Sequence, residues 1–104
     1  MDRTDRGAPL PSEMQGKWVE EGSSFNLIVE GGEIILCGEI IDYRYKKMAV
    51  DTDGVIAVDL EFDEEIDPDD LVLTLLVYWP EGYINTFSVQ TDVGRLVRAS
   101  PSSN

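Results

Sequence analysis

The chain has 104 residues, of which 42% are hydrophobic and 28% charged, and this composition predicts one soluble domain with a modest core. Its 21 acidic and 8 basic side chains give a formal net charge of -13, which disfavours nucleic acid and anionic membranes as partners. Cys37 is the one cysteine, which excludes an intrachain disulfide. The sequence has no histidine and so lacks the commonest general base and transition-metal ligand. We therefore expect a cytoplasmic protein that is not an enzyme and that uses no metal or cofactor.

Both ends of the chain lack strand patterning. Residues 1–15 mix charges with glycine and two prolines, which predicts a flexible leader and not a signal peptide. Residues 100–104 are small and polar, which predicts a flexible tail. One folded domain is therefore expected over residues 16–99. No run of residues approaches the roughly 18 apolar positions that a membrane span requires.

Between these ends, short segments with the two-residue period of half-buried strands alternate with turn residues. Residues 31–32 (GG) and 51–54 (DTDG) predict turns, with positive φ at both residues of the glycine pair. Gly38 predicts a bulge or a sharp bend, and the apolar alternation slips near Lys46 and Lys47. The predicted strands cover residues 16–21, 24–30, 33–37, 55–62, 71–79, 83–90 and 95–99, with one strongly bent strand or two strands over residues 39–50.

This spacing predicts an all-β fold of about eight short strands, which is typical of an antiparallel sandwich or barrel. Short consecutive connections favour an up-and-down meander closed into a small barrel, because closure removes exposed sheet edges. A β-sandwich is the alternative. Residues 71–79 are apolar on both faces, which predicts a strand that is covered more fully than its neighbours.

Gly16, Lys17 and Trp18 at the head of the first strand resemble the Gly-x-Trp signature of the lipocalins and related calycins, including avidin-like and fatty-acid-binding barrels. The resemblance implies a barrel in which the tryptophan closes one end and a basic residue of the last strand packs across it. Arg95 and Arg98 are the candidates, since a guanidinium group stacks favourably on an indole face. The chain is shorter than typical lipocalins and lacks their disulfide pair and C-terminal helix. A small eight-stranded barrel can also be filled by its own side chains.

The inventory of reactive groups argues against catalysis. Cys37 lies among apolar residues with no histidine to activate it, so we expect a packed hydrophobic side chain and not a nucleophile. The sequence contains no Gly-rich phosphate loop, no Gly-x-Ser-x-Gly elbow and no zinc pattern. A close pair of carboxylates would not by itself indicate glycosidase chemistry, because so many acids are present.

The most acidic segment connects the two most apolar strands. It contains eight acids and no base, namely Asp59, Glu61, Asp63, Glu64, Glu65, Asp67, Asp69 and Asp70. The spacing of these acids does not match a calcium-binding EF-hand loop. Mutual repulsion predicts a solvated and extended loop, while a basic partner or a weakly bound cation are the functional alternatives.

Two functions follow from these patterns. The first is a calycin-like protein that binds a small apolar molecule in the barrel interior, lined by Phe25, Leu27, Tyr43, Tyr45, Trp79 and Phe87. The second is an acidic interaction module, of the inhibitor or immunity type, that recognises a basic protein through Asp63, Glu64, Glu65, Asp67, Asp69 and Asp70. The pattern favours the first function slightly, because it accounts for the strand spacing and the Gly-x-Trp signature together.

Overall fold

Ten antiparallel strands form one sheet in the computed structural model, which describes residues 3–88 and 92–99. The strands are β1 (Arg3–Asp5), β2 (Gly16–Val19), β3 (Asn26–Glu30), β4 (Glu33–Leu36), β5 (Glu39–Ile40), β6 (Tyr45–Val50), β7 (Ile56–Glu61), β8 (Leu75–Trp79), β9 (Tyr83–Phe87) and β10 (Asp92–Arg98). Two short 3-10 helices, Ser12–Met14 and Pro68–Asp70, lie in the connections. The predicted tail, residues 100–104, lies outside the described residues.

The strands are arranged in the order β1-β6-β7-β8-β9-β10-β2-β3-β4-β5. Two meanders, β2 to β5 and β6 to β10, are joined where β10 pairs with β2. The sheet curls into a half-barrel, which confirms the predicted antiparallel, barrel-like all-β fold. The terminal strands of the sheet are β1 and β5, so β5 and β6 are consecutive in the chain but not neighbours in the sheet. The final strand also begins at Asp92, before the predicted residue 95.

Residues 3–15 belong to the folded domain, which corrects the flexible leader expected over residues 1–15. β1 pairs with β6, and farther along the leader Leu10 is 3% exposed and Met14 is fully buried. The Gln15 side chain ties this segment to the β3–β4 turn by donating to the carbonyl of Gly31 and accepting from its amide. Because the two buried apolar residues are isolated among polar ones, the sequence shows no strand period here.

The inner face of the sheet carries the core. Apolar side chains from nine segments meet there, including the fully buried Trp18 and Tyr43. Lys46 is also fully buried, so the slip in the apolar alternation brings a lysine inside the fold. The interior is therefore occupied by side chains from β2 to β4, from β6 to β10 and from several connections, whereas β1 and β5 contribute no buried residue.

Arg98 covers Trp18 at the junction of β10 and β2, where the two residues are direct cross-strand partners. Its guanidinium group lies 4.3 Å from the indole centroid and donates hydrogen bonds to the carbonyls of Gln15 and Glu13. A Cβ atom on Gly16 would lie 2.8 Å from the Arg98 side chain, which explains why glycine precedes the tryptophan by two positions. Of the two predicted candidates Arg98 packs on Trp18, whereas Arg95 packs on the Tyr83 ring at 5.0 Å.

Two turns differ from their predicted form. In the β3–β4 turn only Gly31 has positive φ, and Gly32 is required for another reason, because a Cβ there would lie 2.0 Å from the Arg6 carbonyl oxygen. Cys37 and Gly38 form the two-residue turn between β4 and β5, with φ values of 51° and 84°. Positive φ at both central residues is typical of a type I′ hairpin. Cys37 is consequently exposed and not a packed core residue.

We expect Gly32→Ala to lower the free energy of unfolding by about 3 kcal/mol, because the added methyl group forces the Arg6 backbone away from the turn. The matched change Gly31→Ala meets no atom within 4 Å and costs about 1 kcal/mol for its positive φ. Urea denaturation followed by tryptophan fluorescence measures both values. Equal losses would contradict the close packing of residues 3–15 on this turn.

Arg98→Lys should lower the free energy of unfolding by about 1 kcal/mol, because lysine keeps the charge but loses the planar stacking and one carbonyl hydrogen bond. Arg95→Lys is the matched control on the same strand, and its effect should stay within about 0.5 kcal/mol. Urea denaturation measures both values. If Arg95→Lys costs more than Arg98→Lys, the contact that stabilises this end of the sheet has been assigned to the wrong arginine.

Candidate functional site

An apolar pocket of about 150 Å³ lies between the edge strand β5 and the connection from β7 to β8. Ile40 and Ile41 line one side, and Ile66, Leu71 and Val72 line the other. Three large hydrophobic side chains are exposed in the described part of the chain, and two of them, Ile40 at 59% and Val72 at 49%, belong to this pocket. Such side chains grouped around a depression mark a contact surface more often than single exposed ones do.

Acidic residues surround the pocket. Glu39 and Asp42 line it from the β5 side, and Asp70 lines it from the opposite connection. The nearest described base, Arg6, pairs with Asp42 but shares its guanidinium group with Glu33. The rim is therefore negative, in keeping with the formal charge of -13 on the chain.

The acidic connection is folded and not extended. The amide of Ile66 donates to the carbonyl of Asp63, and the amide of Asp70 donates to the carbonyl of Asp67. The Asp67 carboxylate accepts a hydrogen bond from the Asp69 amide at 3.0 Å. Ile66 is half-buried and lines the pocket, and these local hydrogen bonds correct the extended loop that repulsion predicted.

The six acids predicted to bind a partner are all exposed, but they do not form one cluster. The residues are Asp63, Glu64, Glu65, Asp67, Asp69 and Asp70. Asp70 lines the apolar pocket, whereas Asp63 and Glu64 line a separate open groove of about 620 Å³ at the end of β6 and β7. In that groove Arg44 pairs with Asp63 at 3.0 Å, so its charges largely cancel.

A buried polar cluster supports the β5 side of the pocket. The Lys46 ammonium group donates to the carbonyls of Asp5, at 2.7 Å, and Arg6, and to the Tyr43 hydroxyl at 3.1 Å. The Tyr43 hydroxyl in turn donates to the carbonyl of Gly32. Arg6 makes a two-pronged contact with Glu33, with donor–acceptor distances of 2.8 and 3.3 Å. Arg6 also pairs with Asp42, which connects this cluster directly to the pocket rim.

The pKa shifts in this cluster have clear physical causes. Burial raises the pKa of Tyr43 to about 12, with a smaller contribution from the negative charge of Glu33. Burial lowers the pKa of Lys46, against the opposing effect of Asp5 and Glu33. The hydrogen bond from Arg6 lowers the pKa of Glu33 and raises the pKa of Arg6 itself. Because burial keeps the Tyr43 hydroxyl protonated at neutral pH, it can donate to the Gly32 carbonyl while accepting from Lys46.

The six residues predicted to line an interior ligand site do not converge. Leu27 and Tyr43 are fully buried in the core, and Phe25 packs partly buried against it. The other three, Tyr45, Trp79 and Phe87, are half-buried on the outer face of the sheet.

Local contacts confirm the outward orientation of these aromatic side chains. Arg3 lies 4.9 Å from the Tyr45 ring centroid, and Trp79 stacks on Tyr83 at 5.9 Å. On β9 it is Thr86, next to Phe87, that is fully buried, and its hydroxyl has no hydrogen-bond partner within the described residues. A shift of one residue moves every side chain of a strand to the other face of the sheet. In residues 71–79 both faces are apolar, so the sequence does not show which alternate residues face the core.

Sequence reasoning did not predict that Ile40 and Val72 are exposed or that Lys46 is buried. A signal for Ile40 was present, because consecutive isoleucines in a strand cannot both face the core. Val72 lies in a run that is apolar at nearly every position, so nothing in the pattern singled it out. The burial of Lys46 depends on carbonyl groups about forty positions away in the chain, which no local pattern contains.

The comparisons with known proteins return nothing. The chain matches no family model, no curated protein and no solved structure. The calycin resemblance therefore stays a prediction. Within residues 3–88 and 92–99, no three cysteine or acidic side chains are placed to hold a metal ion. Over the same residues, no helix has the length and apolar character to cross a membrane.

We expect Tyr43→Phe to lower the free energy of unfolding at pH 8 by about 2 kcal/mol, because it removes a partner from Lys46 and from the Gly32 carbonyl. The pKa of Tyr43 rises from 10.0 to about 12 on folding, so its contribution is complete below pH 10 and is lost as the pH approaches 12. A shift of this size is large enough to remove the whole difference, so the difference between wild type and variant should fall towards zero over that interval. Urea denaturation at a series of pH values tests this, and parallel profiles would contradict it.

Proposed function

We propose that the protein is a non-catalytic binding module that recognises a basic protein segment through the apolar pocket beside β5. The supporting observation is the coincidence of exposed Ile40 and Val72 with an acidic rim in one depression. An apolar centre inside a polar, charged rim is the usual anatomy of a protein interface.

The size of the pocket favours a side chain over a small-molecule ligand. Sites for small molecules commonly enclose about 300 to 1,000 Å³. The volume of about 150 Å³ is comparable to a cavity that holds one benzene-sized group. A single Leu, Met or Phe side chain of a partner fits this description.

The charge of the rim selects the partner. Glu39, Asp42 and Asp70 attract lysine or arginine next to the inserted side chain. The formal charge of -13 extends this attraction beyond the rim and speeds association at low ionic strength. The proposed segment therefore combines one apolar anchor with flanking basic residues.

Binding of a small apolar molecule inside the half-barrel has less support. Leu27 and Tyr43 of the expected lining are enclosed by other core side chains, and Tyr45, Trp79 and Phe87 face outward. Recognition of a partner at the pocket instead uses side chains that are accessible, such as Ile40 and Val72.

The test uses short synthetic peptides with one Leu, Met or Phe in a Lys/Arg background, and peptides of the same length in a Glu background. We expect binding of the basic peptides alone, measured by fluorescence polarisation, with an affinity that falls as salt is added. Val72→Asp should weaken binding by about tenfold or more, since it places a charge in the pocket wall.

Val50→Asp is the matched control. Val50 is 68% exposed, but it lies beside the 51–54 turn at the other end of the β6–β7 hairpin from Arg44 and Asp63. The same change there should leave peptide affinity within about twofold. Equal losses for Val50→Asp and Val72→Asp would sink the proposal, because they would show a response to charge alone.

A further inference from the structure

The edge strand β5 runs along the pocket. Glu39 and Ile40 of β5 line it together with the next two residues, Ile41 and Asp42, although successive side chains of an extended chain face opposite sides. Four consecutive residues can line one depression when it lies along the edge of the strand and not over one face. The pocket therefore faces the main chain of β5 as well as its side chains.

The register of the β4–β5 hairpin fixes which main-chain groups face the pocket. Ile41 donates its amide to the carbonyl of Ile34 over 2.9 Å, so these two residues form a hydrogen-bonded pair. Ile40 is opposite Ile35, one step along the ladder. Antiparallel pairs alternate between hydrogen-bonded and non-hydrogen-bonded, so the N–H and C=O groups of Ile40 point away from β4. They point to the side where β5 has no neighbouring strand in the described sheet.

We propose, resting on the binding function above, that the partner segment binds as an extended strand and adds to β5, with its main chain paired to Ile40. An antiparallel partner residue exchanges two hydrogen bonds with this one residue. Alternate partner side chains then project to opposite sides. One apolar side chain enters the pocket against Val72, and the basic neighbours reach Glu39 and Asp42.

The opposite edge of the sheet lacks this combination. β1 is also short and terminal, but the groove beside it is lined by the charged residues Arg3, Arg44 and Glu61, which are engaged in ion pairs. None of the residues that line this groove is one of the exposed large hydrophobic residues of the described chain. A partner strand could form main-chain hydrogen bonds at either edge. Only the β5 edge also offers a pocket for an apolar side chain and a rim on which the charged residues are all acidic.

The experiment uses a series of variants of the basic peptide that binds most tightly, each with one backbone N-methyl group at a different position. Each methyl group removes one N–H donor without changing the side chain. We expect a loss of about tenfold at the single position whose N–H would pair with Ile40, and about twofold or less at every other position, including its two neighbours.

Amide hydrogen exchange of the protein provides a second readout. The Ile40 amide should gain protection when the unmethylated peptide is added, while the Ile41 amide, already bonded to Ile34, should not change. The Ile41 amide is thus an internal control within the same strand.

The outcomes separate the two proposals. If every N-methylated peptide binds equally well and Val72→Asp still abolishes binding, strand addition is wrong and the pocket stands. If no basic peptide binds, or if binding ignores Val72→Asp, the pocket is wrong and strand addition falls with it. A loss confined to one N-methyl position, together with protection of the Ile40 amide, supports both.

Discussion

The buried ammonium group of Lys46 is the constraint on which the arrangement of this fold depends. A charge inside the core is costly unless hydrogen bonds satisfy it. Lys46 meets that need with the carbonyls of Asp5 and Arg6 and the hydroxyl of Tyr43. Residues 3–10 accordingly run from β6, with which β1 pairs, to the β3–β4 turn, where the Leu10 amide donates to the Gly31 carbonyl. Water could replace these carbonyl groups only if the core opened. The position of residues 3–10 and the burial of Lys46 therefore depend on each other.

The position of the pocket follows from this constraint. Arg6, placed by Lys46, bridges Glu33 of β4 and Asp42 just after β5. The bridge holds the end of the β4–β5 hairpin while the chain turns inward at Ile41 and Tyr43. Consequently β5 remains a terminal strand and does not pair with β6, as a fully closed meander would require. The same contacts that complete the core leave one sheet edge accessible beside the acidic connection.

The features that could be predicted from sequence are those written in local patterns. Alternating apolar residues and turn glycines predict the antiparallel all-β fold. The calycin resemblance implied that Arg95 or Arg98 packs on Trp18, and Arg98 does. The features that could not be predicted depend on long-range contacts or on parity. Leu10 and Met14 are core residues without a local period. Trp79 and Phe87 carry the apolar character of core residues but stack and pack on the outer face, because Tyr78 and Thr86 occupy the inner positions.

An accessible sheet edge beside exposed apolar side chains invites self-association, and the acidic rim gives a physical means of avoiding it. Two copies of this chain that approach through β5 bring Glu39, Asp42 and Asp70 of each copy together, and their repulsion opposes pairing. A basic segment meets attraction at the same positions. Under the proposed function, one set of charges thus both blocks pairing between copies and selects the partner. The apolar pocket then governs how long that partner stays bound, since the desolvated centre of an interface contributes most to slow dissociation while rim charges act mainly on the rate of encounter.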